Sequence, residues 1–129
     1  MPLISGDATT MKGNAMSNQL TLAQLKSRLA AQPAPILVDA LGERYFAADH
    51  IPGAINLPHT IGDDVLRARL PDRDVEIVTY CANPACQNSH VLAHRLQVLG
   101  YRNVSVFPGG KKEWAEAGMR LESAATAAV

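Results

Sequence analysis

The 129-residue chain has no surplus of charge of either sign: twelve Lys and Arg stand against twelve Asp and Glu. No basic stripe marks a nucleic-acid partner, and no acidic block marks a solvating tail. It also lacks any run of about 18 apolar residues, so the sequence offers no membrane-spanning helix. The first residues, MPLISGDATTMKGNAMS, have neither the basic start nor the apolar stretch of a signal peptide. These absences lead to the expectation of a cytoplasmic protein with no nucleic-acid or membrane partner. Cysteine is scarce. Cys81 and Cys86 are the whole complement, too few for a secreted disulfide framework. No Gly-x-Ser-x-Gly elbow surrounds Ser89, which disfavours a serine hydrolase.

What is present fits one domain with one hydrophobic core, since nearly half the residues are apolar. The expected organisation is a disordered segment over 1–16, a domain over 17–122 and a frayed tail over 123–129. Thr21 and Gln24 form a Thr-x-x-Gln capping box, and Leu22, Leu25 and Leu29 give the following helix one apolar face. Ile36–Asp39, Ala54–Leu57, residues 75–80 and Val104–Phe107 read as short strands. Helical patterns cover Glu43–Ala48, Asp63–Leu70, 89–99 and Lys111–Ala117, the last stopped by Gly118. In Asp63–Leu70 acids precede arginines, an order that suits the helix dipole. Short apolar strands alternating with helices predict an α/β fold, with a mostly parallel sheet and helices on both faces.

In such sheets ligand sites collect at the C-terminal ends of strands. Cys81 stands at one of those ends. It closes the run Val75-Glu76-Ile77-Val78-Thr79-Tyr80 and opens the loop Ala82-Asn83-Pro84-Ala85-Cys86-Gln87-Asn88. Ser89 then begins a helix and is read as its N-cap. Unpaired N–H groups gather at such a helix start and favour a reactive thiolate, so Cys81 is the candidate nucleophile in an anion cradle. Cys86 has three readings: loop filler, a resolving thiol for Cys81, or a metal ligand. The spacing of Cys81, Cys86, His90 and His94 touches on zinc chemistry, but Cys86 and His90 are too close together for the usual finger. No metal and no cofactor are expected. Asp39 and His50 sit at strand or turn boundaries and are read as structural, and Trp114 as core.

The order of these blocks resembles the single-domain rhodanese-like proteins, a sulfurtransferase family. Leu37-Val38-Asp39-Ala40 is similar to its first central strand. The stretch Tyr45 to Pro58, with His50-Ile51-Pro52-Gly53-Ala54 at its centre, is similar to its upstream signature. Tyr80-Cys81 resembles the strand tip that carries the sulfur, and Leu99 to Val104 and Gly109 to Gly118 resemble its closing elements. The resemblance implies a three-layer sandwich around a five-stranded, mostly parallel sheet. It also implies that Cys81 carries sulfur as a persulfide between a small-molecule or protein donor and an acceptor. The chain departs from the family in the loop. The fifth residue after Cys81 is Cys86 where arginine is usual, the stretch to Ser89 is about two residues longer, and Ala82–Ser89 has no formal charge. Lys111 and Lys112, at the start of the last helix, are the candidate charges to replace that arginine, although lysine lacks the bidentate fork. Thiosulfate and persulfides are both expected donors. Phosphatase or arsenate-reductase chemistry is disfavoured, since it needs an arginine clamp. The alternative is a non-catalytic module for binding or thiol-redox sensing that uses Cys81 and Cys86.

Overall fold

The computed structural model describes residues 18–123. The segment 1–16 expected to be disordered, and the tail beyond Ser123, lie outside the described residues. Five strands form one parallel sheet: β1 (Asn18–Gln19), β2 (Ile36–Asp39), β3 (Ile55–Asn56), β4 (Ile77–Tyr80) and β5 (Val104–Phe107), in the order β1-β5-β4-β2-β3. The helices are α1 (Leu22–Leu29), α2 (Glu43–Ala48), α3 (Asp63–Arg69), α4 (Asn88–Val98) and α5 (Gly110–Glu116).

The central strands are mostly apolar because both faces of the sheet are covered, and each carries one buried polar residue, Asp39, Thr79 or Ser105. Their side chains still alternate in direction. Val38, Ile77, Val104 and Val106 face a layer with Leu66 of α3 and with Leu92, Ala93 and Leu96 of α4. Leu37, Val78, Tyr80 and Phe107 face the other, with Leu25 of α1 and Trp114 of α5. These two cores clamp β4 in register between β2 and β5, with Val78 opposite both Leu37 and Ser105. The tip of β4 is thereby held from both sides.

The Thr21 box forms as the sequence predicts. Gln24 N–H donates to Thr21 Oγ1 at 3.1 Å, and Thr21 N–H to Gln24 Oε1 at 2.8 Å. The predicted strands are trimmed at their ends; β4 begins at Ile77 rather than Val75, although Glu76 O still accepts from Ile36 N–H at 2.8 Å. The edge strand β1 has no counterpart among the predicted strands. It is two exposed polar residues held by pairing with Ser105 and Val106.

Candidate active site

Cys81 follows the last residue of β4 and is 1 % exposed, as a free thiol. Backbone bonds fix the root of its loop. Cys81 O accepts from Lys111 N–H, and Ala82 O from Lys112 N–H, both at 2.9 Å. The first amides of α5, which a helix start leaves without partners, are therefore satisfied by the loop root. This contact needs Gly110. Its φ is +64°, and a Cβ there would overlap Cys81 O and lie 2.9 Å from Ala82 C and Asn83 N. Beyond the root, Asn83 folds the loop on itself: its side chain accepts from Ala85 N–H at 2.9 Å, and its carbonyl from Cys86 N–H at 3.1 Å. That turn brings Cys86 back to Cys81. The Cys81 sulfur lies 3.4 Å from both Cys86 O, which can only accept the thiol hydrogen, and Ser89 Oγ.

Ser89 corrects its expected role. α4 starts at Asn88, with Gln87 in the cap position and no capping side chain. Ser89 is thus inside the first turn, fully buried, with its hydroxyl on the sulfur and its carbonyl accepting from Thr79 Oγ1 at 2.9 Å. A second difference concerns acidity. Burial pushes the Cys81 thiol above its ordinary value, and neighbouring Cys86 adds to the rise. The Ser89 hydroxyl and backbone pull the other way without overcoming desolvation. Burial thus works against the reactive thiolate that a strand-tip cysteine facing a helix start suggests.

The two lysines supply backbone to the loop, while their charges lie elsewhere. Lys111 Nζ meets Asp49 Oδ1 at 2.7 Å, and the carbonyls of Asp49 and Tyr45 at 2.9 and 3.3 Å. It closes the C-terminal end of α2, where a cation is favoured. Lys112 pairs with Glu116 one helical turn on. Among the described residues, Cys81, Cys86, His90 and His94 do not gather into a group of three or more that could hold a metal.

Of the remaining loop residues, Pro84, Ala85 and Gln87 are exposed, and Ala82, Asn83 and Asn88 are half-buried. Pro84 also borders a groove of 480 Å³ between the loop and the start of α1, floored by Pro108 and Gly109 and edged by Glu113.

Asp39 and His50 pack behind the site. Asp39 is fully buried. Its Oδ1 accepts from Leu41 N–H at 2.9 Å, and its Oδ2 has no partner in hydrogen-bond geometry. Desolvation raises its pKa, offset in part by the Leu41 amide, the nearby Tyr80 hydroxyl and the charge of Lys111. The Tyr80 hydroxyl accepts from Ile51 N–H at 3.0 Å. His50 stacks on Phe46, with Nδ1 2.8 Å from Phe46 O, and its backbone pairs with Glu122. Three contributors to the site went unread in the sequence: Thr79, Asp49 and the left-handed Gly110. Only Gly110 left a signal, as half of a Gly-Gly pair opening a helix, a place where backbones approach closely.

Residues 21–117 match the Rhodanese-like domain family. The chain belongs to that family. No curated protein matches it. Among solved structures, the BH2092 protein of Bacillus halodurans is similar at 26 % identity, with 88 % of this chain and 82 % of that chain covered and a TM-score of 0.76. A thiosulfate sulfurtransferase from Pseudomonas aeruginosa shares the fold at 20 % identity and a TM-score of 0.66. The match covers 84 % of this chain and 20 % of that one. A rhodanese from E. coli, solved with anions, shares it at 24 % identity and a TM-score of 0.58, with 70 % and 99 % covered. These structures share the three-layer α/β architecture built here. No helix among the described residues is long and apolar enough to cross a membrane.

Proposed function

We propose that the protein is a sulfurtransferase whose working group is the Cys81 thiol. The observation that carries this reading is a free thiol at the tip of β4, enclosed by a loop and a helix start and bonded to Ser89 Oγ. The Cys81 thiolate attacks the outer sulfur of a donor R–S–SH. A Cys81 Sγ–S bond forms, the donor S–S bond breaks, and R–S⁻ leaves with the electron pair. With thiosulfate, sulfite leaves in the same way. The persulfide then yields its outer sulfur to a nucleophilic acceptor. Ser89 assists by donating its hydroxyl hydrogen once the sulfur is charged; hydrogen bonds to ionised groups are the strong ones.

A persulfide donor fits better than thiosulfate. Thiosulfate is a dianion, the loop 82–88 has no formal charge, and the charges of Lys111 and Lys112 are held by Asp49 and Glu116. Donor access requires the loop to swing away from Cys81. Its exposed Pro84, Ala85 and Gln87 lose little burial in doing so, so the opening is cheap.

Intact-mass measurement tests the proposal. Single variants Cys81→Ser and Cys86→Ser are incubated with thiosulfate, and separately with a low-molecular-weight persulfide. A one-sulfur gain is expected in Cys86→Ser and not in Cys81→Ser, and larger with the persulfide. Absence of any gain in Cys86→Ser with either donor would move the assignment to the second reading, a redox-sensing or binding module. The burial and raised pKa of Cys81 support that alternative.

A further inference from the structure

The loop brings the second cysteine to the first. Asn83 turns the chain so that Cys86 O lies 3.4 Å from Cys81 Sγ, and the Cys86 side chain branches from the carbon next to that carbonyl. The two residues differ in access. Cys81 is closed off from solvent, whereas Cys86 is half-buried and its neighbours Ala85 and Gln87 are exposed. A bulky external acceptor therefore meets Cys86 before it meets the sulfur on Cys81.

We propose that Cys86 is the resolving thiol of the Cys81 persulfide, so that each turnover releases sulfide and leaves a Cys81–Cys86 disulfide. This rests on the sulfurtransferase reading and adds to it the fate of the sulfur. The Cys86 thiolate attacks Sγ of Cys81. A bond forms between the two cysteine sulfurs, and the bond from Sγ to the outer sulfur breaks. The outer sulfur departs with the electron pair as hydrosulfide. The sulfane sulfur is reduced to sulfide while the two cysteine side chains are oxidised to the disulfide, so no outside oxidant is needed. A dithiol reductant then returns both cysteines to thiols and is itself oxidised to a cyclic disulfide.

The direction of cleavage follows from leaving groups. A thiol–disulfide exchange favours expulsion of the more acidic partner. Attack on the outer sulfur would have to expel the Cys81 thiolate, which burial disfavours. Attack on Sγ expels hydrosulfide, the anion of a stronger acid. Loading and resolution thus alternate within one six-residue loop, and the protein would consume reactive persulfides rather than store them.

The test is a single-turnover experiment under anaerobic conditions, with one equivalent of a low-molecular-weight persulfide and no external acceptor. The wild type, Cys86→Ser and Cys81→Ser are each followed by sulfide detection and non-reducing intact mass. In the wild type one sulfide per chain beyond the donor-free control is expected, together with a chain lighter by two hydrogens that a dithiol restores. Cys86→Ser is expected to keep the added sulfur, with sulfide release falling to background. If the wild type and Cys86→Ser hold the extra sulfur equally, Cys86 is not the resolving thiol while the sulfurtransferase reading stands. If Cys86→Ser gains no sulfur, both fall. Disulfide formed equally without donor would also overturn the proposal, since it would arise by simple oxidation.

Discussion

At Cys81 two forces oppose each other, and their balance sets the chemistry. Burial favours the neutral thiol, and the Ser89 hydroxyl and backbone favour the thiolate. The reactive form therefore grows in only above the ordinary thiol value of about 8.5. Ser89→Ala removes a donor to the charged form, worth on the order of 1.5 kcal/mol. About tenfold less thiolate is expected at a given pH, read as a slower alkylation rate across a pH series in a Cys86→Ser background. An unchanged rate would mean that the Ser89 hydroxyl does not reach the charged sulfur. Asp39 offers a second titration. Its pKa is raised in the folded chain, so the folded state holds this proton at pH values where the unfolded state has released it. Stability must then fall as pH rises from the ordinary carboxylate value of about 3.9 through the raised one. Urea midpoints of the wild type and Asp39→Asn are expected to diverge in that window, with the wild type losing ground to the variant as pH increases. Parallel curves would place the carboxyl in a more solvated setting than its fully buried position indicates.

At the scale of elements, the loop is held by where α5 begins. Gly110→Ala forces a left-handed residue with a side chain, about 1–2 kcal/mol, and pushes its Cβ into the carbonyl of Cys81. Overpacking of this kind adds about 1–3 kcal/mol. A loss of roughly 2–5 kcal/mol in denaturant stability is expected, and persulfide formation should fall even where the variant still folds. A stability loss within about 0.5 kcal/mol would mean that the loop root can shift freely. The elements themselves were largely legible. Ile36–Val38, Ile77–Tyr80 and Val104–Phe107 announce central strands because burial on both faces leaves short, mostly apolar runs, interrupted only by Thr79 and Ser105. Thr21 and Gln24 announce α1 because a capping box is a local bond pattern. The edge strand Asn18–Gln19 was not legible, since two exposed polar residues become a strand only through β5. Ser89 was misread for a related reason. A serine before a helical pattern has the composition of a cap, and only the position of Cys81 gives its hydroxyl a better partner one residue inside the helix. Lys111 shows the same limit. Its place at the start of the final helix, which the family resemblance sets beside the loop, made it a candidate charge for the site, whereas its ammonium meets Asp49, 62 residues away.

Across the whole molecule, the sheet divides the interior into two cores whose side chains do not interleave. Ile77 belongs to the layer with α3 and α4, and Ile51 to the layer with α1 and α5. The site lies where both layers reach the tip of β4: Tyr80 packs into one of them, and α4, which carries Ser89, into the other. Removing one methylene from either core tests whether the layers respond independently. Ile77→Val and Ile51→Val are each expected to cost about 0.5–1.5 kcal/mol. Their double variant should lose the sum to within about 0.5 kcal/mol, as for residues that share no partners. Denaturant midpoints at unchanged slope provide the measurement, since a changed slope would signal altered compactness instead. A coupling above about 1 kcal/mol would mean that four-residue strands pass repacking from one layer to the other. Cys81, fastened to the end of the strand that carries Ile77, would then feel substitutions in both cores. Additivity would instead leave the sulfur's surroundings to local control by the loop root, Ser89 and Gly110.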